Sequence, residues 1–399
     1  MLRQEAGIQV DKFYPPTDWQ DSNSQQIDIR KNAENNSIVL LVGHSADFSK
    51  YSLLGLLAQV SSGTYDVYID DVLVGSEVTS NTQYDIDFST IETSYGTATT
   101  PEALVLHKVV IKPNTSGATI TNFRCARTSG ATGTQIQSIL WCHFNIENAI
   151  SINLGFYQAN VYSNANLVSV TSLGNLLKLS GAISSSFRGS AFLEYCTILE
   201  LSNNQAINQA FFSDTKLKRI ILQGGKISGG QYTGFEGTFY NTQNIEQINL
   251  NKVDTSGNIV LADCFNITRK LKVFPNIKLD KTQRGNNFLV QSSNLFPTKL
   301  DYSNDKDSAI LGAYGTGTYP MRGLRGLKVS NEAPFSGSSP QIDVSYTGLD
   351  RDALRELFTS LPTVTGSQTL KCVGATGVAD LTQADKDIAT AKGWALTLA

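Results

Sequence analysis

The feature that most constrains this chain lies between Phe211 and Leu279, where one short pattern is written three times. Phe211-Phe212-Ser213-Asp214-Thr215-Lys216 leads into Leu217-Lys218-Arg219-Ile220-Ile221-Leu222. Thr238-Phe239-Tyr240-Asn241-Thr242-Gln243-Asn244 leads into Ile245-Glu246-Gln247-Ile248-Asn249-Leu250, and Phe265-Asn266-Ile267-Thr268-Arg269-Lys270 into Leu271-Lys272-Val273-Phe274. Each time an aromatic stands six residues before the first aliphatic. The second aliphatic falls at 220, 248 and 274, and Leu300 and Leu327 continue the series at spacings of 26 to 28 residues. A period in this range marks a solenoid of stacked coils. In Leu-x-x-Ile-x-Leu the aliphatic positions point into the coil. Each repeat then supplies a short strand of a parallel sheet and a return segment whose aromatic fills the other side. No repeat buries its apolar face alone, so stacked neighbours must supply that burial.

The aromatic six residues ahead, followed by small polar residues and then the strand, resembles the BspA-like subgroup of leucine-rich repeats over residues 136 to 399. The early copies are blurred, with Leu167-Val168-Ser169-Val170 and Ile198-Leu199-Glu200-Leu201 recognisable. The five cysteines, Cys125, Cys142, Cys196, Cys264 and Cys372, include no Cys-x-x-Cys pair, so metal and redox motifs are not expected. Cys196 and Cys264 sit where such repeats take small apolar side chains and read as buried thiols. One disulfide elsewhere stays open.

Ahead of the repeats the pattern is β. Ser37-Ile38-Val39-Leu40-Leu41-Val42 is a buried run, and Tyr65 to Val74 alternates through an Asp70-Asp71 turn, as a hairpin should. Tyr84-Asp85-Ile86-Asp87-Phe88 alternates again, and residues 103–112 and 119–125 give two further strands. Short strands at such intervals predict an antiparallel sandwich. Ser52 to Ala58 fits a strand or a helical turn equally. Residues 1–30, with Phe13, Tyr14, Trp19 and two prolines, read as an extended arm that either packs on its own domain or anchors into a partner. Thr128 to Thr134 is the linker candidate.

At the carboxyl end Leu354, Leu357, Phe358 and Leu361 share one helical face, with Asp350 as N-cap and Pro362 as the stop. Leu370-Lys371-Cys372-Val373 is a strand, Thr382-Gln383-Ala384-Asp385 opens a second helix as a capping box, and Trp394 to Leu398 is a last strand. The expected fold is therefore mainly β with some α. It comprises an arm over residues 1–30, a β-sandwich over 31–134, and a leucine-rich-repeat solenoid over 135–399 with helical closing repeats over 349–399.

Chemistry is sparse. Of the three histidines, His44 lies in Gly43-His44-Ser45-Ala46-Asp47, which lacks the last glycine of a nucleophile elbow and reads as a strand end. His107 and His143 sit in apolar strands as core residues. Asp70-Asp71 suits a turn, and Asp85 and Asp87 point outward. Asp301 to Asp307 lacks the glycine and terminal glutamate of an EF-hand, and Gly312 to Thr318 lacks the lysine of a phosphate loop. No catalytic residue, metal site or cofactor is expected. The outward face of the solenoid is more informative. It is expected to expose Lys218, Arg219, Ile221, Glu246, Gln247, Asn249, Asn251, Asp301, Ser303, Arg325, Lys328 and Ser330. Asn249, Asp301 and Lys328 are the candidate binding residues, one polar row for sugar hydroxyls or a protein loop.

Two further stretches carry a resemblance. Asn122 to Arg127 passing into Ile139 to Phe144 resembles a module ahead of such solenoids in structural proteins of gut bacteriophages. The tail ending Ala391-Lys392-Gly393-Trp394 is similar to repeat proteins of gut Bacteroidetes and their phages. These resemblances imply a non-catalytic virion protein, a tail or head fibre or other surface decoration. It would be a homo-oligomer that joins other virion proteins through its amino-terminal region and touches host-surface glycan or protein. A bacterial cell-surface adhesin is the first alternative and would need an export signal; Met1 to Ala6 does not open the apolar run of one. A polysaccharide-degrading enzyme is the second and would need a cleft with paired carboxylates. A net charge of −3 with thinly spread Lys and Arg argues against a nucleic-acid partner, and no apolar stretch approaches the length of a membrane-spanning helix.

Overall fold

The protein is described by a computed structural model covering residues 13–49, 52–99, 103–126, 138–153, 155–156, 166–202, 206–227, 234–256, 259–272, 275, 277, 282–284, 298–303, 321–332, 342–365 and 368–399. It is mainly β, 39% strand against 9% helix. Two compact units are formed, residues 1–150, 166–178 and 195–200 in the first and 151–165, 179–194 and 201–399 in the second.

The first unit begins with β1 (Gln20–Asp21), β2 (Ser37–His44), β3 (Leu53–Val60), β4 (Thr64–Ile69), β5 (Val72–Thr79), β6 (Gln83–Asp87), β7 (Gly96–Ala98), β8 (Leu104–Pro113), β9 (Ile120–Ala126) and β10 (Ser138–Asn145). The apolar run at Ser37 becomes β2, buried along its whole length because it lies between β8 and β10 and is antiparallel to both. One sheet runs β1-β7-β8-β2-β10, with β4 attached through β8 and β5 beyond β4. A second sheet runs β6-β3-β9, so the Ser52 to Ala58 stretch resolves as strand from Leu53 onward. Phe123 of β9 meets Phe144 of β10 edge to face at 6.0 Å. The β4–β5 hairpin turns on Asp70 and Asp71 with φ of 49° and 68°, the left-handed pair that a two-residue turn requires and that Asp tolerates.

Residues 13–30 pack against this unit. Phe13, Trp19, Ile27 and Ile29 are buried, β1 pairs with β7, and Phe13 stands edge-on to Trp141 at 4.9 Å. Trp19 lies 6.4 Å from the same indole, and the Arg30 guanidinium covers it at 5.3 Å while donating to the Phe13 carbonyl. Of the two placements open to this segment, residues 13–30 take the one at home, because aromatic surface of this size gains more from burial than from water. Residues 1–12, and the linker expected at 128–134, lie outside the described residues.

β10 is where the sheet changes character. It is antiparallel to β2 on one side and parallel to β11 (Ser169–Ser172) on the other. β12 (Leu176–Lys178) follows, then β13 (Tyr195–Cys196), parallel to β11, and β14 (Ile198–Glu200), parallel to β12.

In the second unit β15 (Arg219–Gln223) and β16 (Gln247–Asn251) pair in parallel with Ile220 beside Ile248. β17 (Ile259–Val260) and β18 (Thr282–Arg284) pair next, and β19 (Thr298–Tyr302) and β20 (Leu324–Val329) pair with Leu300 beside Leu327. All four of these aliphatics are buried, and Phe274 lies outside the described residues. A β-solenoid of about 7 turns thus occupies the carboxyl-terminal part.

Its return side is held by a column of rings. Phe156, Phe187, Phe211, Phe239 and Phe265 stack face to face with centroids 5.2 to 5.7 Å apart. Around Phe187, Phe211, Phe239 and Phe265 the backbone repeats a single conformation. Residues two before it (Ser185, Gln209, Gly237, Asp263) and two after it (Gly189, Ser213, Asn241, Ile267) have φ between 54° and 75°. That alternation turns alternate N–H groups toward the next coil: Gln209, Phe211 and Ser213 donate to Glu236, Thr238 and Tyr240, and Gly237, Phe239 and Asn241 to Ala262, Cys264 and Asn266. The return segment therefore satisfies its backbone as fully as a strand would, without being one.

The chain ends as β21 (Ile342–Asp343), α1 (Arg351–Ser360), β22 (Gln368–Lys371), α2 (Gln383–Thr390) and β23 (Trp394–Thr397), the three strands parallel. Asp350 caps α1 through the Ala353 N–H, and Thr382 with Asp385 forms the capping box of α2. Lys392 closes the other end of α1, its Nζ donating to the carbonyls of Thr359 and Leu361, and Trp394 Nε1 donates to the Pro362 carbonyl. Between them Gly393 has φ of 87°, and a Cβ there would stand 2.5 Å from the Val364 carbonyl oxygen.

Candidate functional site

A groove lies in the second unit, where α1 passes over β19 and β20. Ala353, Leu354, Leu357 and Phe358 are the buried face of α1, so Asp352, Arg355, Glu356 and Thr359 are presented on the other. These four face Lys299 and Arg325 from the strands across a groove of about 590 Å³. A smaller recess of about 180 Å³ continues past Lys299 and Glu356 to Asp301 and Lys328. Gly326 shapes both. The strand register slips at Lys299, which comes to lie beside Gly326, and a Cβ there would stand 2.9 Å from Lys299 Cγ. The missing side chain lets the lysine stem lie along the floor.

The charges are held in pairs. Lys328 Nζ meets Glu356 Oε1 at 2.9 Å, a bar between strand and helix, and the partnership with Glu356 pushes the lysine pKa up. Arg355 Nε meets Asp385 Oδ1 at 2.8 Å, and Arg351 Nε meets the other oxygen at 2.9 Å. Asp301 accepts from the backbone and hydroxyl of Ser303, which hold its carboxyl below the usual carboxylate range. An acid held low stays ionised, so it accepts from hydroxyls and N–H groups and is a poor proton donor for glycoside cleavage.

Of the expected row, Asp301 and Lys328 are direct neighbours in register. Asp301 is exposed and Lys328 half-buried. Asn249 is half-buried on β16 opposite Ile221, in a different sheet from β19 and β20. Among the described residues no strand pairing links β16 to β19 or β20. Ile221 and Ser330, expected to be outward, are buried. β15 has chain on both sides, β16 on one and the Leu201 N–H bonded to Gln223 on the other, which covers Ile221; Ser330 is held at a turn, accepting from the Glu332 N–H. Lys299 and Glu356 were not among the expected site residues. Glu356 was legible as the polar face of a helix, but nothing local said that this helix would overlie β20.

All five cysteines are free thiols. Cys264 is buried and burial pushes its pKa well up, whereas Cys196 is only half-buried, at the short end strand β13. Among the described residues no group of three or more His, Cys, Asp or Glu side chains is gathered to hold a metal ion, and no helix is long and apolar enough to cross a membrane. Asp305, Asp307 and Gly312 to Thr318 lie outside the described residues. No protein-family model, no curated protein and no solved structure matches the chain.

Proposed function

We propose that this chain is a non-catalytic structural and binding protein of a bacteriophage virion, a tail or head fibre or other surface decoration. In this reading the two antiparallel sheets of the first unit pack as a sandwich that joins other virion proteins. The coils are leucine-rich repeats of the BspA-like kind, and the groove under α1 meets the host surface. The observation that supports it is the groove itself: basic and acidic side chains fixed on strands and a capped helix, over a stack of rigid coils. Its lining residues include no aromatic ring on which a sugar face would lie, so a charged loop of a host-surface protein is the first ligand to test and glycan the second. A homo-oligomer would gain avidity from such sites without new contacts.

Mass spectrometry of purified virions is the first measurement, and absence of the chain from particles ends the reading. Replacing Lys299, Asp301 and Lys328 together by Ala should then reduce adsorption to host cells several-fold with the melting profile unchanged, because such exposed pairs add little to stability. Normal adsorption by that variant moves receptor contact away from the groove.

A further inference from the structure

We propose that the first unit folds around one extra proton, held in a buried chain that links Asp70, His107 and His44. His44 Nδ1 lies 2.7 Å from the Ser45 carbonyl oxygen, which can only accept, so this nitrogen carries a proton. His44 Nε2 and His107 Nε2 are 3.1 Å apart, and that contact needs one proton between two nitrogens. His107 Nδ1 lies 2.8 Å from Asp70 Oδ2. Asp70 already accepts from the Lys108 N–H through Oδ1 and from the Thr93 hydroxyl through Oδ2, so it acts as a carboxylate and His107 Nδ1 is the donor. Three protons therefore occupy four ring nitrogens, where two neutral imidazoles would bring only two. His107 is the imidazolium, balanced by Asp70, and His44 is the neutral acceptor.

The surroundings keep the proton in place. Both rings are almost wholly buried, with Phe48 stacked on His44 at 4.5 Å and Phe88 on His107 at 4.9 Å. Other charges face elsewhere. Lys108 Nζ is drawn to Asp71 at 2.7 Å and lies over the Tyr95 ring. Asp47, beside Phe48, is bound by Ser45 and Ser49, and Asp87, before Phe88, is bound by Ser89. Among the described residues the carboxylate that meets this pair of rings is that of Asp70. Above the ordinary histidine pKa of about 6.5 an unfolded chain holds both rings neutral, so folding takes up one proton there. The folded state then binds more protons than the unfolded one, and stability falls as pH rises. The first unit is thus a device that tightens on acidification to neutrality and loosens in alkali.

Ring-nitrogen NMR of the full chain at pH 7.5 reads the count directly, since the protein has only three histidines. Two protonated nitrogens on His107 and one on His44 are expected; one protonated nitrogen on each ring overturns the proposal. The second readout is unfolding of the first unit, followed by Trp19 and Trp141 fluorescence from pH 7 to 9. Uptake of one proton changes the unfolding constant about tenfold per pH unit, and Asp70→Asn should remove most of that slope. Parallel curves for the two proteins also overturn it. Should Asp70→Asn fail to fold, the spectrum of the unaltered protein decides alone.

Discussion

The two units bury polar groups by opposite strategies. In the first, β2 is paired with β8 and β10, strands from far along the chain, and several buried polar side chains have individually fitted partners. Asp70 holds His107, which holds His44; Trp141 Nε1 donates to Thr171 Oγ1, which also bonds His143 Nδ1. In the second unit each coil meets the next, so the same buried position recurs from coil to coil. Three residues after the stacked phenylalanine stand Ser190, Asp214, Thr242 and Thr268. Thr242 donates its hydroxyl to the Phe211 carbonyl and Thr268 to that of Phe265. Repetition makes a misfit visible: Asp214 puts a carboxyl in a column of hydroxyls, wholly buried, with Oδ2 lacking a partner among the described residues. In the fitted unit an unusual residue is part of a network; in the repeated unit it stands out against its equivalents.

The largest expected effect tests the repeat itself. Ile248→Asp places an unpaired charge beside Ile220 and should cost more than about 4 kcal/mol. In denaturant the Trp394 signal should shift to lower midpoint while that of Trp19 and Trp141 stays, because damage in a stacked array reaches its neighbours first. Unchanged unfolding would show that the register read here is wrong.

The next effect is on pH and separates the units by sign. Burial pushes His143 down to about 4, with the Arg30 charge adding to it. A base whose folded pKa is depressed contributes stability above its unfolded value, lost as pH falls. The first unit should therefore weaken from pH 6.5 towards 4, by about 3 kcal/mol at most, and His143→Asn should flatten that limb. If the variant keeps the same acid slope, His143 is not its source.

A smaller effect of opposite sign belongs to Asp214, whose pKa burial raises well above the carboxylate range. An acid raised on folding contributes fully below its unfolded pKa of about 3.9 and loses that contribution as pH rises. Asp214→Thr, which restores the hydroxyl of the column, should stabilise the second unit by about 1 to 2 kcal/mol at pH 7, with the gain vanishing below pH 4. A destabilised variant at pH 7 would mean that the carboxyl has a partner the hydroxyl cannot replace.

How much of this was legible follows from distance along the chain. The aromatic six residues ahead of Leu217, Ile245 and Leu271 marked three levels of the phenylalanine column, and the same offset from Phe187 to Leu193 was there to be read for an earlier one. The Asp70-Asp71 turn, the Asp350 cap and the Thr382 box were equally readable, each being settled within a few residues. The pairing of His107 with residues 37 and 63 positions away was not, nor the seating of Phe13 on Trp141. For the groove, Asp301 and Lys328 followed from the period, while their link to Glu356 depended on where α1 settled.

By itself the sequence determined that coils stack, where their main aliphatic positions fall, and where the helices begin, because nearest-neighbour packing and capping are local and their periodicity is written in the chain. Only the tertiary structure decided that β10 serves an antiparallel sheet on one side and a parallel one on the other, and that the His44 and His107 rings meet beside Asp70. Such contacts join segments with no fixed spacing, and their partners are chosen by the shape of the whole unit rather than by any pattern along the backbone.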